Sequence, residues 1–106
     1  MNIKLSKAYD LLKRFNDLSN NKVLDRDLIS DEISSSTQRI NEDTQDFNEK
    51  TIEIKKYFDS NNLKEARNGI SKLLITAMNI ETELSNFTDQ LRLLIKESDL
   101  FKDFDE

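Results

Sequence analysis

A chain of 106 residues, 36% apolar and 35% charged, supports one domain with a narrow core and a heavily solvated exterior. Proline is absent and Gly69 is the only glycine, so the closely spaced turns of a sheet protein are missing and the class is all-α. Cysteine and histidine are absent too, which excludes disulfides, thiol nucleophiles, cysteine/histidine zinc sites and imidazole acid–base chemistry.

The net charge of −5 is unevenly placed. Residues 1–24 hold five Lys/Arg against two Asp, residues 25–49 hold two Arg against eight acids, and residues 97–106 hold one Lys against five acids. A mixed, mildly acidic exterior of this kind argues against nucleic acid as a partner. The chain has no apolar run of the roughly 18 residues that a membrane span needs. Nor does it open with a basic segment followed by an apolar one, as a signal peptide would. The expected location is cytoplasmic, with a signal-peptide-independent export route as the alternative.

The first predicted helix covers residues 3–18, with Leu5, Ala8, Leu12 and Phe15 at helical spacing and Leu11 and Leu18 widening the stripe. Ser19-Asn20-Asn21 ends it, because Asn accepts the left-handed conformation in which helices often finish. A second helix is predicted over 25–58, started by Asp25 or Asp27 as a cap. Its apolar residues Ile33, Ile40, Phe47 and Ile54 recur every seven, with Thr37, Thr44, Thr51 and Phe58 four places later. The seam is thin, and Ser34-Ser35-Ser36 and Asn41-Glu42-Asp43 compete for backbone hydrogen bonds. This helix is therefore expected to depend on tertiary contacts and to fray locally.

Asp59-Ser60-Asn61-Asn62 marks a turn, and Asn62 with Glu65 matches a capping box for a third helix over 62–98. That helix is the most apolar of the three. One heptad column holds Leu63, Ile70, Ala77, Leu84 and Leu91; a second, three residues later, holds Ala66, Leu73, Ile80, Phe87, Leu94 and Phe101. The two together read as one seam. Its phase passes unbroken through Asn68-Gly69, which makes Gly69 a point of close helix approach rather than a turn. Leu74, Ile75, Met78, Leu93 and Ile95 lie off both columns and form a surplus stripe. The expected architecture is an antiparallel hairpin of two long helices plus a short N-terminal helix. That gives a three-helix bundle with coiled-coil-like packing, in which the short helix covers only part of the long ones.

Little in the chain suggests chemistry. Asp25, Asp27, Asp31 and Glu32 lack the glycine and spacing of a calcium loop and read as helix-capping acids. Without histidine there is no Glu-x-x-His pair for a dimetal bundle site. Asn86-Phe87-Thr88 fits a glycosylation acceptor, yet Phe87 belongs to a seam column. No serine or lysine sits in a glycine-rich turn that would expose a nucleophile or cradle phosphate. The chain is therefore expected to be non-enzymatic and to need no cofactor or metal. The acidic tail, residues 99–106, embeds Phe101 and Phe104 among acids; it either extends the seam or forms an acidic-aromatic recognition motif.

Two resemblances bear on function. Lys7-Ala8-Tyr9-Asp10-Leu11-Leu12 resembles the end of the last long helix of J-domains. The stretch Asn62-Leu63-Lys64-Glu65-Ala66, continuing through Ile70 and Lys72-Leu73 to Glu83-Leu84, is similar to the carboxy-terminal bundle of HscB-type iron–sulfur co-chaperones. That likeness implies that Ile29, Ile33 and Ile75 contact a scaffold protein, although no His-Pro-Asp motif is present. Phe101-x-x-x-Asp105 is similar to the Phe-x-x-x-Asp export motif of the small helical-hairpin proteins that accompany type VII-secreted LXG toxins, without the Trp-x-Gly turn of the wider family. The chain is assigned to neither family. The expected function is a helical interaction module, an adaptor or chaperone-like partner. It would bind another helical protein or a second copy of itself through Leu74, Ile75, Met78, Phe101, Phe104 and Asp105.

Overall fold

Two helices of nearly equal length, α2 (Arg26–Asp59) and α3 (Leu63–Glu97), form an antiparallel hairpin in the computed structural model, which describes residues 3–104. The 14-residue helix α1 (Leu5–Leu18) lies along one half of this hairpin, and a short 3-10 helix, Asp99–Phe104, follows α3. The molecule is elongated, 61 × 29 × 20 Å.

Caps define the ends. The Asp25 carboxylate accepts from the amides of Asp27 (3.0 Å) and Leu28 (3.2 Å), starting α2 where the acids predict. At the tip, Asn61 adopts the left-handed conformation (φ 58°) and the Asn62 side chain accepts from the Glu65 amide at 3.3 Å. The reciprocal arm of the predicted capping box is not formed. The Asn62 amide that Glu65 would reach already donates to the Tyr57 carbonyl at 2.8 Å.

Helix α1 is antiparallel to α2 and parallel to α3, as its cross-links require. Near its start, the Ser6 amide donates to Thr37 Oγ1 (2.7 Å), and the Ser6 hydroxyl meets Ser36 Oγ at 3.2 Å. Near its end, Ser19 and Ser98 share a buried hydroxyl–hydroxyl hydrogen bond of 2.6 Å. The face that α1 buries is Leu5, Tyr9, Leu12 and Asn16, turned from the predicted Leu5–Ala8–Leu12–Phe15 stripe. Leu11, Phe15 and Leu18 remain exposed, because Tyr9 presents its ring edge-on to Phe87 (centroids 5.0 Å apart) and sets the rotation. Asn16 bonds both polar groups of Leu24, accepting from its amide at 3.0 Å and donating to its carbonyl at 3.4 Å, which closes the connection to α2. The polar Ser34–Thr37 run that looked weak in isolation is where α1 crosses α2, and α2 is unbroken there.

The seam of α3 is turned from the predicted one. Its second column faces inward, from Ala66 to Leu94, but its first column is exposed at Leu63, Ile70, Leu84 and Leu91. The inward partner of the second column is instead Gly69, Thr76, Glu83 and Gln90, all at least half-buried. Small residues in that row let the helices approach closely. Gly69 faces Ile54, and a Cβ there would stand 2.5 Å from Ile54 Cγ1.

Alanine at Gly69 would gain roughly 1 kcal/mol of helix propensity. Isoleucine in a helix strongly prefers one χ1 rotamer, so relieving the overlap means displacing backbone, at about 1–3 kcal/mol. Gly69→Ala should therefore lower the melting temperature followed by circular dichroism, whereas in an Ile54→Ala background the same change should raise it. A Gly69→Ala single variant that melts above the parent would show that the helices do not approach closely.

Candidate interaction surface

The short helix divides the hairpin. Beside α1 lie the buried side chains Ile29, Ile40 and Leu94, with Phe87 and Phe101 packed against them. Beyond it, in residues 41–82, the only buried side chains are Ala66 and Thr76. Along the first column of α3 the exposure rises from 36% at Leu91 and 37% at Leu84 to 56% at Ile70 and 59% at Leu63. Seven residues past Leu91, Ser98 is buried against Ser19, the residue that caps α1. The column that is most open near the tip is thus less exposed beside α1 and closes at Ser98. Helix α2 repeats the arrangement, since Thr37 is held by Ser6 while Thr51 and Phe58 in the same column are exposed. One face of the hairpin is half covered by α1 and half bare.

Leu74, Ile75 and Met78, expected at a partner contact, are each more than half exposed on this open part of α3. Leu74 extends the bare face; Met78, one turn further on, points directly away from the inward rows, and Ile75 lies beyond it on the other side of α3. Phe101 is elsewhere, half-buried with its ring 5.3 Å from that of Phe15. Helix α3 ends at Glu97 and the chain bends at Ser98, yet the 3-10 helix returns Phe101 to the core that the heptad count assigned it. Phe104 closes that 3-10 helix, and Asp105 lies outside the described residues. Among the described residues, those expected at a partner contact therefore do not form one cluster. Ile29, implied as a scaffold contact by the co-chaperone likeness, is 1% exposed inside the core.

A second feature, with no local signature in the sequence, sits where α1 begins on the hairpin. Arg39 reaches Glu32 on its own helix (2.7 Å) and Glu83 on α3 (3.4 Å). The Glu83 side chain is 14% exposed and its second oxygen, Oε2, is buried with no hydrogen-bond partner among the described residues. Burial, and then the neighbouring Asp43 charge, push the Glu83 carboxyl above its ordinary pKa against the opposing pull of Arg39. Burial and Glu32 likewise push the Tyr9 phenol up to about 12. Nearer the tip, hydrogen bonds from Lys50 and Thr76 hold the Asp46 carboxyl below its ordinary value. These groups tie the helices together. No group of three or more metal-ligating side chains is gathered among the described residues. One of the surface hollows, lined by Gln38, Asn41, Gln45, Ile52 and their neighbours, is the outer flank of α2 alone.

No protein-family model, curated protein or solved structure matches this chain. No helix among the described residues is long and apolar enough to cross a membrane.

A carboxyl whose pKa is higher in the folded chain than in the unfolded one takes up a proton on folding. Its contribution favours the fold below the ordinary value of 4.5 and is lost as pH rises through the folded value. Asp46 runs the other way, stabilising above its ordinary pKa and losing that contribution as pH falls through its lowered value. Glu83→Gln, which mimics the protonated form, should accordingly melt above the parent at neutral pH, with the difference closing as pH falls toward 4.5. A variant that melts below the parent at neutral pH would show that the Arg39 ion pair outweighs burial.

Proposed function

We propose that this protein is a non-enzymatic interaction module whose ligand is another amphipathic α-helical surface. The observation that carries the reading is the bare half of the hairpin, where Leu63, Ile70 and Leu74 stand 56–61% exposed on one flank of α3, with Met78 at its outer edge. Scattered exposed apolar side chains are normal on soluble proteins, but a contiguous stripe rimmed by polar residues marks an association surface. The flank continues the face on which α1 already packs, so its shape is one that accepts a helix. Recognition would follow the helix-in-groove mode, with apolar anchors at three- and four-residue spacing. This corresponds to an adaptor or chaperone-like role, and it requires no cofactor.

Selecting an amphipathic-helix display library against the full chain tests the reading. Binders should compete with one another for one surface. Leu74→Lys with Met78→Lys should abolish their binding while leaving the melting temperature within a degree or two, because both side chains are already exposed. Binders indifferent to the double substitution would overturn this assignment of the surface.

A further inference from the structure

The stripe on α3 is nearly symmetric about Leu74. Leu63 and Leu84 stand eleven before and ten after it, Ile70 and Ala77 four before and three after, and Arg67 and Glu81 seven on either side. Only the last pair is charged, and its two members are opposite in sign. Both are exposed, and among the described residues neither side chain has a hydrogen-bond or ion-pair partner. Two such helices laid antiparallel with a two-fold axis at Leu74 match leucine to leucine, Ile70 to Ala77, and Arg67 of each copy to Glu81 of the other. A parallel pairing would instead oppose Arg67 to Arg67 and Glu81 to Glu81.

Resting on the interaction-module reading, we propose that the occupant of the bare face is a second copy of this chain, docked antiparallel about a two-fold axis at Leu74. The arrangement is isologous, the commonest symmetry for a homodimer. Leu63 to Leu84 spans about 30 Å of helix at ~1.5 Å per residue. A stable interface of standard size needs roughly 800 Å² per partner, which draws in the adjoining flank of α2 as well. The packing joins two bare half-hairpins into one four-helix bundle. Each α1 begins where the partner's tip arrives, so the covered and bare lengths complement each other. Opposite charges facing across the axis specify the orientation, as they do at the rims of paired helices.

Sedimentation of the full chain across low to high micromolar concentration should show a reversible monomer–dimer equilibrium. Arg67→Glu or Glu81→Arg alone should weaken association about tenfold, since each places like charges together twice. An equimolar mixture of the two single variants should recover parental association, because each copy then supplies the charge the other needs. The chain has no cysteine, so Leu74→Cys should yield a disulfide-linked dimer on mild oxidation, and Leu63→Cys should link to Leu84→Cys rather than to itself. A strict monomer at every concentration overturns the dimer, and so does faster self-linking at Leu63→Cys than at Leu74→Cys. Neither result would touch the interaction module itself: helix binders lost with Leu74→Lys and Met78→Lys would still stand, and point to a different chain as occupant.

Discussion

A 14-residue helix packed against partners of 34 and 35 residues leaves more than half of their length without a third neighbour. Everything else in the molecule follows from that mismatch. At about 1.5 Å per residue α1 spans roughly 21 Å, while each hairpin helix runs for about 50 Å. Where α1 lies, three helices enclose Tyr9, Ile29, Ile40 and Leu94 almost completely. Where it is missing, two helices can bury only the strip between them, and large apolar side chains on either flank stay in water.

The covered half is held by polar as well as apolar contacts. Ser19 to Ser98, Asn16 to Leu24 and Ser6 to Thr37 fix where α1 starts and stops along the hairpin. A buried hydroxyl or amide is costly unless it finds its partner, so these bonds select one register among the several that apolar packing alone would allow. The position of α1 in turn decides which part of α3 is bare. Arg39, bridging Glu32 and Glu83 near the boundary, braces the hairpin where the third helix gives out.

Much of this was legible in the residues, and the parts that were not have physical reasons. Asp25 and Asn62 announced the helix starts because a cap is a local interaction. Gly69 was readable as a close approach because the heptad phase ran through it, and Phe101 because the count reached it even past the end of α3. The rotation of α3 was not readable. A heptad pattern identifies an apolar sector, and the first column was as apolar as the second. Thr76 and Gly69, the residues that decide the matter, pack by being small rather than by being apolar. Tyr9 and Ser98 carry no signal for a related reason: their burial rests on Phe87 and Ser19, partners far away in sequence. The surplus of apolar stripe is evident in the residues themselves; which side of it faces solvent is set by tertiary packing.

The account stands on the claim that protection by α1 ends part-way along the hairpin. Amide hydrogen exchange on the full chain at high dilution, where any association is weak, tests it most directly. The account predicts that amides around Ile29–Ile40 and Phe87–Leu94 exchange only by global unfolding, with those of α2 and α3 beyond Thr44 and before Ala77 exchanging markedly faster through local opening. Uniform protection from one end of the hairpin to the other would contradict it.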